Sequence, residues 1–217
     1  MKTSAPSPRT EIRRKANRAH YDSAAIYAIV DAAFLCHIAI NDGGNVHCLP
    51  TACWRDGEHL YVHGANNSRL VNALLAGESS LCITHLDGLV LARSAFRHSM
   101  NYRSVVIYGQ FVAVDDENGK KIAMAAFLEH VSPGRTSTAR PPSREELAGT
   151  RILRIPLAEA AAKIRNWGVE DSTEDMKLPV WAGVIPLTMQ PGTPQPESGC
   201  ADYPLPGLAK ALDTEHL

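Results

Sequence analysis

The chain has 217 residues, 45% of them hydrophobic, and a formal net charge of -1. That length suits one domain with a sizeable core, and the near-neutral charge supplies no field to draw the chain onto nucleic acid or an anionic membrane. No apolar run approaches the ~20 residues that cross a bilayer, and the opening MKTSAPSPRTEIRRKANRAH lacks the apolar stretch of a secretory leader, so a cytoplasmic location is expected.

Residues 1–10 carry prolines and hydroxyl side chains and read as a flexible tail, and 11–20 are strongly basic. Asp22 or Ser23 can cap a helix whose apolar positions Ala25, Ile26, Ile29, Val30 and Ala33 recur at helical spacing and should lie on a sheet. Then FLCHIAIN, VHCLPTACWR and HLYVHG, separated by DGG and DGE, form a three-stranded meander. Pro50 cannot donate to a ladder. Its strand should therefore be an edge at that point, with backbone groups free for a flat heterocycle.

In NNSRLVNALLAG, Asn67 or Ser68 caps a short helix that ends at a glycine. SSLCITHL and LVLARSAFR flank Asp87-Gly88 and read as a second hairpin, and YRSVVIYGQFVAV reads as a central strand. DDENGKKIAMAAFLEHV follows as a turn and helix, and PGRTSTARPPSREEL as a loop. TRILRIPLAEAAAKIR is strand-like in its first half and rich in helix-favouring alanine in its second. Six prolines from Pro186 to Pro206 exclude a long regular element near the end. Several short antiparallel strands with helices between them point to a mainly β, α+β barrel, because closure removes exposed edges.

The segment HGANNSRL places Ser68 and Arg69 where a helix begins, a place where free N–H groups and the helix dipole suit a phosphate. An ordinary capped surface helix explains the same residues. Tyr102, Arg103 and Ser104 stand at the mouth of the central strand, with Tyr102 and Ser104 on one face and Arg103 on the other. Trp181 in WAGVIPL is a core plug or an aromatic platform. The nine histidines show no HxH pair, their one HxxxH spacing (His59 and His63) falls in the strand-like HLYVHG, and the five cysteines show no CxxC, so no metal site is expected. Neither GxSxG nor GxGxxG occurs, against a nucleophile-elbow hydrolase and a dinucleotide-binding dehydrogenase.

Taken together, LPTACWRDGEHLYVHGANNSRL (49–70), DGLVLARSAFRHSMNYRSVVIYG (87–109), EHVSPGR (129–135), TRILRIPLAEAAAKIR (150–165) and WAGVIPL (181–187) resemble the flavin-nucleotide-binding family of pyridoxamine 5'-phosphate oxidase, including its nitroimidazole-resistance branch. The resemblance implies a six-stranded antiparallel split β-barrel over residues 11–190 with a proline-rich extension at 191–217. It also implies a homodimer with flavin mononucleotide (FMN) in a groove between subunits, and a strand at 150–165. By position, Cys48, Leu49, Pro50 and Thr51 resemble the strand whose backbone meets the flavin ring, and Val62 and His63 the second strand lining it. Ser68 and Arg69 resemble a Ser-Arg-Lys phosphate grip that Ser104, with Arg103 near it, completes; His98, Tyr102 and Trp181 are ring-side or partner-subunit contacts.

Two departures limit the likeness. Leu70 stands where many relatives carry the lysine, and the carboxy-terminal Arg-x-His-Asp-Arg stretch that holds a vitamin phosphate is absent. The implied function is a flavin-dependent oxidoreductase acting on a small organic molecule other than pyridoxamine phosphate. The alternatives are a split barrel holding haem or deazaflavin, or a flavin carrier or sensor without turnover.

Overall fold

In the computed structural model, which describes residues 4–208, the apolar runs and their glycine turns form the expected meander. Strand β1 (Ala19–His20) and helix α1 (Ser23–Asp31) precede β2 (Leu35–Asp42), β3 (Asn45–Asp56) and β4 (His59–Ala65). Gly43, Gly44 and Gly57 make the turns at φ of 58°, 87° and 57°, a region that a β-carbon disfavours. Helix α2 (Arg69–Ala76) follows, then β5 (Glu78–Leu91), β6 (Ser99–Gln110), β7 (Val112–Ala113), α3 (Glu117–Val131), α4 (Arg144–Gly149), β8 (Thr150–Pro156), β9 (Ala160–Arg165) and β10 (Gly183–Pro186).

All pairings are antiparallel, in the order β1-β9-β6-β5-β2-β3-β4-β8-β7, with β10 on β5. The sheet curls into a split barrel. Leu153 and Ile155 of β8 thereby join Ile107 of β6, Ala160 of β9 and Ile38 of β2 in one core. Helix α1, capped where Asp22 Oδ1 accepts from the Ala25 amide at 3.0 Å, adds Ile26, Ile29 and Val30 to that core. Ten strands stand where six were expected; β1 and β7 are two-residue additions, and β10 is an added strand.

Three expectations are corrected. The Asp87-Gly88 pair makes no hairpin: β5 runs straight through it with a register shift between Leu86 and Gly88. Asp87 is held by a two-pronged bond from Arg103 across the ladder, and β10 seats so tightly on Gly88 that a β-carbon there would lie 3.1 Å from the Ile185 carbonyl oxygen. The long strand from Thr150 is two strands, because a 3-10 turn at Leu157–Glu159 carries the chain from β4's side of the barrel to β6's. Its alanines stay extended since Ala160, Ala161 and Ala162 are buried in the wall. SREEL is helical, because Ser143 and Glu146 close a reciprocal capping box.

Within the amino-terminal segment, residues 4–10 are described. Ser7 donates to Glu159 at 2.7 Å, Arg9 to Glu78 at 2.9 Å, and Thr10 is buried. Carboxylates on the barrel wall supply the anchorage that the proline-rich composition did not reveal.

Candidate functional site

Strand β3 changes partners midway. Residues 45–52 pair with β2, whereas only 53–56 pair with β4, so the other edge of 45–52 has no strand partner among the described residues. Pro50, opposite His37, lies in this open stretch, as its missing N–H requires. Cys48 and Pro50 present exposed side chains, Leu49 packs inward against the core, and Thr51 is half-buried. A free backbone edge beside apolar side chains can accept and donate hydrogen bonds to a flat ring.

Helix α2 begins at the end of the β2–β3 hairpin. Gly64 permits it: a β-carbon there would lie 2.9 Å from Val71 Cγ2, so any larger residue pushes the helix off β4. Ser68 is the N-cap but makes no side-chain capping bond, so the first N–H groups of α2 take none from it. Arg69 is 57% exposed and lies 3.8 Å from Asp42, the residue opposite Asn45 in the hairpin. Cys48 is three residues further along β3, about 10 Å at strand rise. Ser68 and Arg69 thus stand at one end of the hairpin whose open β3 edge carries residues 48–51.

The other expected residues are dispersed. Val62 is buried in the core and laddered on both sides, opposite Cys53 and Leu153, so it offers no free group. His63, on the other face of β4, sits among Trp54 and Phe127 with ring centroids 5.8 and 5.4 Å away. Its Nδ1 is buried with no hydrogen-bond partner, and desolvation holds its pKa below the ordinary 6.5. Trp181 is 64% exposed, its ring lying over Gly183; it is not a core plug. His98 is exposed, with Nδ1 3.1 Å from the Ser94 carbonyl oxygen. Because a carbonyl only accepts, Nδ1 carries the hydrogen.

Alternation on β6 sends Tyr102 and Ser104 to the outer face and Arg103 to Asp87, where a two-pronged ion pair at 2.9 and 3.0 Å occupies it. Arg103 thus has its own carboxylate and does not join Ser104. A row of outer-face residues, Pro50, His37, Cys82 and Val106, crosses four strands from β3 to β6. Three ladder spacings, roughly 14 Å, therefore separate Ser104's strand from the β3 edge. Within one protomer these residues do not meet. A concavity of about 740 Å³, lined by residues between Ser4 and Asp22, holds none of the candidate residues. Sequence reasoning missed His37, which its alternation with buried Cys36 and Ile38 places on the outer face.

The buried imidazole gives a pH prediction. A base whose folded pKa lies below its unfolded value binds fewer protons when folded, so stability is lost as pH falls below about 6.5. Melting temperatures measured between pH 7 and pH 5 should fall more steeply for the wild type than for His63→Phe. Parallel curves would show that His63 is not a source of acid sensitivity.

The sequence matches the family model of pyridoxamine 5'-phosphate oxidase over residues 22–164. Among solved structures, the flavocytochrome Anf3 of Azotobacter vinelandii superposes with a TM-score of 0.88 at 36% identity, covering 93% of this chain and 95% of that one. An FAD and heme binding protein of Mycobacterium smegmatis gives 0.83 at 31% identity, covering 87% and 94%. A Bacteroides thetaiotaomicron protein assigned to 5-nitroimidazole antibiotic resistance shares the fold at 19% identity, with a TM-score of 0.57 and coverage of 67% and 86%. No curated protein matches the sequence. Among the described residues no helix is long and apolar enough to cross a membrane, and no cluster of His, Cys, Asp and Glu could hold a metal ion.

Proposed function

The chain belongs to the pyridoxamine 5'-phosphate oxidase family, and from that premise we propose that it is a flavoprotein whose flavin lies between two copies of the chain. The observation that carries the reading is the unpaired β3 edge at 45–52 beside an uncapped Ser68 and an accessible Arg69. The residues fit the group. The edge offers backbone donors and acceptors to an isoalloxazine ring, and the start of α2 offers a hydroxyl, a guanidinium and free N–H groups to a phosphate one linker-length away. FMN is the smallest flavin that satisfies both.

A second subunit supplies what one protomer lacks. Tyr102 and Ser104 stand too far from β3 to serve the same ligand in one chain, and the open face exposes Leu35 at 56% and Val46 at 76%, apolar surface suited to burial in a homodimer. A bound flavin would supply two-electron storage. The protein's own part is to orient the ring along the β3 edge, hold the phosphate with Ser68 and Arg69, and exclude water with the apolar partner face.

The functional class is an oxidoreductase acting on a small organic molecule. Pyridoxamine phosphate is not expected to be a substrate. Of the loop arginines that might replace the absent tail motif, Arg140 is bound in two places to Glu146 and Arg144 lies 3.9 Å from Glu117. Only Arg135 remains without an ion pair among the described residues.

One observation favours a haem in addition to the flavin: two solved structures more than 30% identical to this chain are of a flavocytochrome and of an FAD and heme binding protein. A residue that would hold such a group is His98, whose Nδ1–H is held by the Ser94 carbonyl and whose Nε2 keeps its lone pair. The visible spectrum of the purified protein tests both readings, with sedimentation alongside. A blue-region flavin band on a dimer is expected, with a Soret band if haem is present. A colourless protein that takes up no added flavin, or a flavin-saturated monomer, overturns the reading. Anaerobic mixing with nicotinamide nucleotides, and then with candidate acceptors, separates turnover from storage. Pyridoxamine phosphate should give no pyridoxal phosphate absorbance.

A further inference from the structure

Helix α1 leaves a cleft of about 330 Å³ where its first turns face the start of β4 and the end of β8. The cleft holds none of the candidate flavin residues. Its rim carries Glu58, from the β3–β4 turn, and eight residues along β3 separate Asp56 at that turn from Cys48, roughly 26 Å at strand rise. The floor is apolar, because Ile26 and Leu157 are 4% and 5% exposed. Three half-buried rings stand around it: Tyr21, Tyr27 and His59.

Each wall is held by groups outside the cleft. The Tyr21 hydroxyl accepts from the Ile12 amide at 2.9 Å, and the Arg55 guanidinium carbon lies 4.3 Å from the Tyr27 ring centroid. Arg55 is itself fixed by two bonds of 2.7 Å to Asp31 and one of 2.7 Å to the Gly57 carbonyl. His59 is the register partner of Pro156, and the Leu157 amide donates to the Glu58 carbonyl at 2.9 Å. Walls set in place beforehand spare a ligand the cost of ordering them.

The charge is one-sided. Among the described residues Glu58 forms no ion pair. No lysine or arginine lines the cleft, and Arg55 behind Tyr27 is already paired with Asp31. The start of α1 does not invite an anion either, since Asp22 Oδ1 caps it by accepting from the Ala25 amide. An anion would lose its hydration there without gaining a counter-charge. An aromatic ring, by contrast, buries against the floor and the tyrosines, and an ammonium on a short arm reaches the free carboxylate. The volume is at the low end of small-molecule clefts, which run from about 300 to 1,000 Å³, and it suits a single ring. We propose that this cleft binds an arylalkylamine, one aromatic ring carrying a primary ammonium. The assignment is independent of the flavin.

Calorimetric titration of the full chain with three probes of one shape tests it: tyramine, 4-ethylphenol, which lacks the ammonium, and 3-(4-hydroxyphenyl)propionate, which replaces it with a carboxylate. Wild type is compared with Glu58→Gln, which removes the charge, and Ala158→Trp, which fills the rim. Both positions are exposed, and Glu58 bonds Leu157 through its backbone only, so both variants keep the fold, as melting curves will verify. Tyramine should bind wild type most tightly, ethylphenol more weakly and the propionate least. Glu58→Gln should weaken tyramine about tenfold, the worth of one charge-assisted hydrogen bond, and leave ethylphenol within about twofold. Ala158→Trp should abolish binding of both. No saturable tyramine binding in the millimolar range, tyramine affinity that ignores Glu58→Gln, propionate binding as tight as tyramine, or binding that survives Ala158→Trp overturns the proposal.

Discussion

Trp54→Ala is expected to destabilise the protein by about 3–5 kcal/mol, the range for removing a buried tryptophan and leaving its cavity. Trp54 is fully buried beneath α3, stacked on Tyr61 at 5.7 Å and packed on Phe127 at 5.0 Å, in a satellite core with Ala123 and Ile152. Total stabilities of about 5–15 kcal/mol make this a large fraction, and the melting temperature should drop by roughly 10 °C. Trp54→Phe is the informative partner. The indole Nε1 has no hydrogen-bond partner, so its loss forfeits no bond, and the smaller ring should cost well under half as much. Denaturant titration of the two variants checks both figures; equal losses would mean that the indole nitrogen, not the packing, holds the layer.

Arg69→Ala should weaken flavin binding by about 1.5–3 kcal/mol, the worth of a hydrogen bond to a charged group, or roughly 10- to 150-fold in Kd. Asp42 makes only a long, exposed ion pair with the guanidinium at 3.8 Å, and Leu70 supplies no second cation. The phosphate then depends on Arg69, Ser68 and the α2 dipole. Arg135→Ala, in an exposed 3-10 turn away from the group, is the control and should leave the affinity unchanged. Indistinguishable flavin retention in the two variants removes the phosphate site from the start of α2. The comparison needs no knowledge of the substrate.

Where the chemistry is local, the sequence was enough. Asp22 announces a helix because a carboxylate meets unpaired N–H groups within its own first turn. Pro50 declares its own edge because the missing donor belongs to that residue alone. Ser68 and Arg69 could be placed for the same reason, since a glycine-bearing strand end and a helix start are local patterns.

Long-range competition decided the rest. Asp87-Gly88 has turn chemistry, but Arg103 across the ladder and β10 above it keep the strand extended. Arg103 looked available for a phosphate until the fold gave it a carboxylate sixteen positions away in sequence. His63 and Val62 are adjacent in sequence, yet one enters an aromatic box under α3 and the other the barrel core. Arg18 and Arg165 both lie over the Trp167 ring, joining the amino-terminal segment to the end of β9, and no spacing in the sequence marks that contact. The sequence by itself determined the capped helices, the meander, the open edge and the family; which cations stay unpaired was decided only by the tertiary structure, because a charge is neutralised by what folding brings beside it and not by its neighbours along the chain.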